Sequence, residues 1–194
     1  MKRKARLLLA FLTVTAAVSA QNATVQAEPE YKRVIAREFA EFQRLIAEQQ
    51  FERAMDYIPD ELFAVVPRDT LIMAMKQMFD DPDVEIKLDS VKLVSIGDAQ
   101  LVEGKYLVRF TYSYRMSIRL EADGETVAML KSIYNNMFGE DNVTYDKRSG
   151  SFELAPVRSA IAYSTDGTAD ATTRWKFLNN EKEQLEALKL FISE

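Results

Sequence analysis

The chain has 194 residues, with 25 Lys and Arg against 30 Asp and Glu, a formal charge of −5, and neither cysteine nor histidine. Missing both residue types, it has no disulfide, no thiol nucleophile, no zinc site of the usual nitrogen and sulfur kind and no Ser-His-Asp triad. Acid–base chemistry is left to Asp, Glu, Lys and Tyr.

The first twenty residues read as an export signal. Lys2, Arg3, Lys4 and Arg6 form a basic start, and Leu7 to Val18 an apolar stretch too short to span a membrane. Val18-Ser19-Ala20 then places small residues ahead of Gln21, where signal peptidase would cut. No cysteine follows, so no lipid is expected there. The mature protein is expected to be soluble and periplasmic or extracellular, with no transmembrane segment. Cleavage would leave 21 Lys and Arg against 30 Asp and Glu, a charge of −9. So acidic a chain is repelled by phosphate backbones, and nucleic acid is not an expected partner. Residues 21–28 read as a flexible lead and 29–194 as one domain, large enough to bury a core without staples.

From Pro29 the pattern turns helical. Tyr31, Val34, Ile35, Phe39, Phe42, Leu45 and Ile46 recur at spacings of three and four. Gln49-Gln50 interrupts the run, and Phe51, Met55 and Ile58 continue an apolar stripe to Pro59. Another helix is expected after Pro67, capped by Asp69 or Thr70, with Leu71, Ile72, Met75, Met78 and Phe79 on its buried side. Asp80-Asp81-Pro82-Asp83 should end it.

Strands follow. Val84, Ile86 and Leu88 share one parity, Val91 and Leu93 the other, and Val94 and Ile96 return to the first; β-bulges produce such flips. Gly97-Asp98 and Glu103-Gly104 read as turns. Between Lys105 and Glu121 every even position is apolar or aromatic, from Tyr106 through Val108, Phe110, Tyr112, Tyr114, Met116 and Ile118 to Leu120. The odd positions are polar except Leu107, so this is a long strand with one covered face. Asp123-Gly124 closes it. A helix over 125–138 should turn Val127, Leu130, Ile133, Tyr134 and Met137 inward, with Gly139 past its end. Strands are expected over 142–146, over 152–165 with a bulge at Pro156, and over 172–178. Asn180 and Glu183 form a capping box for a last helix bearing Leu185, Leu188, Phe191 and Ile192.

Helices first and then a bent, mostly antiparallel sheet give an α+β class. The order resembles the cone-shaped NTF2-like (SnoaL-like) and cystatin-like superfolds, in which N-terminal helices close over a curved sheet. The helix between strands and the C-terminal helix depart from that pattern. The resemblance implies a pocket under the helices. It implies no one function, since such cones serve isomerases, dehydratases, transport factors and binding modules.

The even face of the long strand is first of all a core face. As a ligand face, its candidates are Tyr106, Tyr112, Tyr114 and Met116, together with Tyr163 and Trp175; the four tyrosines are placed on inner faces, where a phenol must find a partner. Met73, Met75, Met78, Met129 and Met137 are further pocket candidates. The odd face carries Arg109, Arg115 and Arg119, either meeting an acidic partner or paired with acids such as Glu85 and Asp89 on the preceding strand. The acidic runs at 80–83 and 166–170 lack the ligand alternation of a calcium loop, and no metal or cofactor is expected. These residues support a non-catalytic binding protein for a small amphiphile or a protein or peptide segment. The alternative is a structural or interaction module with a filled core, able to form a homodimer. The third is an isomerase- or dehydratase-type enzyme using Tyr and Asp.

Overall fold

The computed structural model describes residues 28–164, 169–170 and 172–179. The expected export signal and the expected C-terminal helix lie outside them. The described chain is α+β, with helices packed on a curved antiparallel sheet of six strands. None of its helices is long and apolar enough to cross a membrane.

The helical half follows the apolar spacing. α1 (Glu30–Ala47) buries Val34, Ile35, Phe39 and Leu45 on one face, and Pro29 stands before its first turn. The Gln49-Gln50 break is real: Gln49 takes a φ of 57° before α2 (Phe51–Ala54) and a 3-10 turn, Met55–Tyr57. After a second 3-10 turn, Asp60–Ala64, comes α3 (Arg68–Phe79), starting directly after Pro67 and so ahead of either expected cap. It leaves Met73 and Met78 half-exposed, whereas Met78 was expected inward.

β1 (Val84–Val102) and β2 (Lys105–Leu120) form one long hairpin around Glu103-Gly104, whose φ values of 50° and 80° suit a two-residue turn. The pairing shifts register between Asp89 and Lys92, Leu93 and Ser95, and Ile96 and Ala99, which are the bulges announced by the parity flips. Gly97-Asp98 is not a turn but part of the last bulge. A Cβ on Gly97 would meet the Arg109 carbonyl oxygen at 3.0 Å, so the missing side chain lets the two strands approach.

α4 (Gly124–Phe138) follows, with Asp123 accepting the Thr126 backbone N–H at 2.8 Å as its cap. β3 (Val143–Asp146) pairs β4 (Ser151–Leu154), and β4 pairs the C-terminal half of β2. β5 (Val157–Ser164) pairs the N-terminal half of the same edge of β2, and β6 (Trp175–Asn179) pairs β5. Pro156 interrupts what would otherwise be one strand, as its missing N–H requires, and its carbonyl accepts the Tyr114 N–H.

Two cores result on the helix-covered face. α1 closes the first, over Val108, Phe110, Ala160, Ala162, Trp175 and Phe177. α4 closes the second, over Ile118, Val143, Phe152 and Leu154, with Val127, Leu130, Tyr134 and Phe138 packed against it. Ile133 and Met137, expected inward, instead lie half-exposed beside Met129. On the opposite face Leu107, Ile161, Tyr163 and Leu178 form a smaller cluster.

Candidate functional site

Phe39 on α1 organises the site. Its ring meets Phe110 at 4.8 Å, Tyr112 at 5.0 Å and Phe177 at 5.2 Å, all near edge-on. This geometry suits the ring quadrupoles and adds about 0.5–1.5 kcal/mol per pair beyond burial. One turn on, Phe42 stacks on Phe177 at 5.8 Å, and Tyr57 stacks on Phe177 at 6.2 Å. The short helices after Gln50 then fold back across this aromatic floor. Met55 and Ile58 come from the first turn, Leu62 from the second, and Leu71 and Met75 from α3.

They leave an apolar cleft of about 210 Å3 between α1, α3 and the sheet, walled by Phe42, Ile46, Met55, Leu71, Met75 and Phe177. Gln43, Tyr112 and Asn179 are the polar side chains on its border. A dry apolar cavity of about 150 Å3 already accepts a benzene ring, so this volume suits one ring or a short chain carrying a polar group. On the other flank of α1 a cleft of about 250 Å3 is lined by Ala36, Ala40 and Ala47 and by β1 around its first bulge. Its bordering cation, Arg44, is already committed to Glu41 and Glu48.

The sequence-derived candidates separate. Tyr112 borders the apolar cleft. Tyr114 stacks on it at 6.0 Å, and burial pushes the Tyr114 phenol up while a hydrogen bond from Arg158 draws it down. Arg158 also lies 5.3 Å over the Phe138 ring, so Tyr114 and Arg158 join the sheet to the end of α4. Tyr106 packs at the edge of the first core and Met116 belongs to the second. Trp175 is buried against Tyr31 at 6.4 Å. Tyr163 was placed with the inner-face tyrosines, but its register with Leu107 puts it on the opposite face of the sheet. Of the methionines singled out, Met75 lines the cleft, whereas Met73, Met78, Met129 and Met137 are half-exposed.

Glu61 is a residue that periodicity could not reveal. The Tyr163 hydroxyl donates to Glu61 Oε1 at 2.6 Å; Lys105 Nζ donates to the same carboxylate at 2.9 Å and also to the Tyr163 oxygen. Burial tends to raise the Glu61 pKa, yet the hydrogen bonds from Lys105 and Tyr163 pull it down to about 2. Burial and Glu61 push the Tyr163 phenol up, and Glu61, then Tyr163, raise the Lys105 ammonium. A general acid or base works best with a pKa near the working pH. This carboxylate–tyrosine pair is driven the other way, and it clamps the 3-10 turn after Pro59 to the sheet.

The arginine stripe lies on the face opposite the helices. Arg119 pairs with Glu85 at 2.5 Å, directly across the ladder, and Asp89 stands opposite Arg115 in register. Arg109 lies on the same face, beside Leu107. Glu85 and Asp89 on β1 thus face Arg119 and Arg115.

No family model matches the chain, and no curated protein is similar to it.

Proposed function

We propose that the protein is an exported, non-catalytic binding protein of NTF2-like architecture that holds a small amphiphile between α1, α3 and the sheet. The observation that supports it is the apolar cleft itself, aromatic on its floor and walled by flexible Met55 and Met75, with three polar side chains on its border. Apolar walls supply affinity, and a few placed polar groups orient the ligand. The N-terminal pattern supports export, with the mature chain starting at Gln21.

Saturation-transfer NMR with phenol and benzyl alcohol tests the cleft. Both should receive saturation from the protein and compete with each other. Met75→Trp, which fills the cleft, should abolish the transfer. Equal transfer in the filled variant would exclude this cleft.

A second reading is a protein-interaction module. Met129, Ile133 and Met137 lie four residues apart on α4, 43–56% exposed, as one apolar stripe facing away from the core.

A further inference from the structure

A different cleft, of about 430 Å3, opens on the other side of the stack made by Phe42, Tyr57 and Phe177. Four cations border it. Arg37 and Arg53 come from the helical half, and Arg174 and Lys176 from the chain around β6. Two carboxylates, Glu38 and Asp56, stand on the same wall. Glu38 Oε2 accepts the Trp175 backbone N–H at 2.9 Å, and Asp56 pairs at 2.7 Å with Arg68, which is not a lining residue.

Three of the cations have only long ion pairs, although Arg53 Nη1 also donates to Gln50 Oε1 at 2.5 Å. Arg37 lies 3.8 Å from Glu38, Arg53 3.8 Å from Glu41 and Lys176 3.9 Å from Asp60, all too long for a good charge-assisted hydrogen bond. Lys176 is only 17% exposed and donates to the Asp56 backbone oxygen at 2.7 Å, which fixes its ammonium in place. Arg174 is exposed and forms no ion pair among the described residues. Two donors at the wall are also unspent. Trp175 Nε1 is buried with no hydrogen-bond partner among the described residues, which is rare for a buried donor. The Tyr57 hydroxyl has no hydrogen-bond partner among the described residues; burial raises its pKa, as do the Glu41 and Glu38 charges, against Arg53 and Arg174.

We propose that this cleft binds a small oxyanion-bearing molecule, taken by the Arg37, Arg53 and Arg174 guanidinium groups and the Lys176 ammonium, with Tyr57 and Trp175 as its wall. Guanidinium forks match the planar geometry of carboxylate and the oxygens of phosphate. On a chain of net charge −5, this cleft gathers four cations beside two lining carboxylates. The site is independent of the apolar cleft, and each stands if the other fails.

Trp175 is the only tryptophan in the chain, so its emission reports directly on this wall. Citrate and inorganic phosphate are titrated separately, against sodium chloride at matched ionic strength. A saturable change in emission is expected with at least one of the two anions and not with chloride. A response to citrate alone assigns a carboxylate ligand, and a response to phosphate alone a phosphate. Arg174→Glu, an exposed change that should leave the melting temperature unaltered, is expected to weaken the response tenfold or more. Arg115→Glu, on the far face of the sheet, should titrate like the wild type. No saturable response to either anion, or an Arg174→Glu protein that titrates unchanged, overturns the proposal.

Discussion

Glu61, Lys105 and Tyr163 tie three distant parts of the chain together, and the tie has a definite pH signature. The Glu61 carboxyl falls from an ordinary 4.5 to about 2 in the folded protein. A carboxyl depressed on folding stabilises the fold above its unfolded pKa, and that contribution fades as pH falls towards the folded value. The window is therefore pH 4.5 down to 2. The Glu61 side chain is 44% exposed, so water screens the pair and its worth is about 1 kcal/mol or less. Glu61→Gln should lower the melting temperature at neutral pH by roughly 2–4 °C. The gap should narrow across that window and close near its lower end. A gap as large at the bottom of the window as at neutral pH would show that the carboxylate charge is not what holds the turn.

At the scale of elements, α4 separates what periodicity decides from what it leaves undecided. Val127, Leu130, Tyr134 and Phe138 follow one stripe, while Met129, Ile133 and Met137 follow another about 100° away. A helix apolar on two faces gives no sequence rule for which face the sheet will take, and the expectation mixed them. The contrast is testable. Ile133→Lys should change stability by no more than about 0.5 kcal/mol. Tyr134→Ala should cost about 2–3 kcal/mol, because its ring meets Phe152 edge-on at 5.0 Å in the second core. If the outer stripe joins two copies of the chain, Ile133→Lys should also convert a dimer to a monomer in sedimentation equilibrium; a dimer that survives excludes α4 as the contact.

The long hairpin was far more legible. Strict alternation located β2 to within a residue of its end, and the parity flips announced the bulges in β1. The error at Gly97 has a plain cause: Gly-Asp favours turns locally, but here the glycine serves a close approach of two strands that only the pairing reveals. Tyr163 was misplaced for a related reason. Pro156 resets the strand, so parity cannot be carried across it, and the face follows only from the register with β2. The stripes containing Met55, Ile58, Leu71 and Met75 were visible in the sequence. That short helices would bring them over Phe177 was not, because that juxtaposition depends on the 3-10 turns between them.

Taken whole, the molecule is a curved sheet with two cores on one face, and α1 divides the space at its own end. Toward α3 lies an apolar cleft; across the aromatic stack lies a cleft bordered by arginines and lysine. On β2, Arg119 and Arg115 face Glu85 and Asp89 across the ladder, whereas Arg37 has only a long ion pair and Arg174 none among the described residues. Native mass spectrometry of the protein recovered from its own host reads the binding proposal in a single spectrum. A chain beginning at Gln21 should appear with a non-covalent small-molecule adduct, and Met75→Trp prepared in the same way should lack it. A bare chain mass in the wild type, or the same amphiphile adduct persisting when the cleft is filled, would contradict binding between α1 and α3.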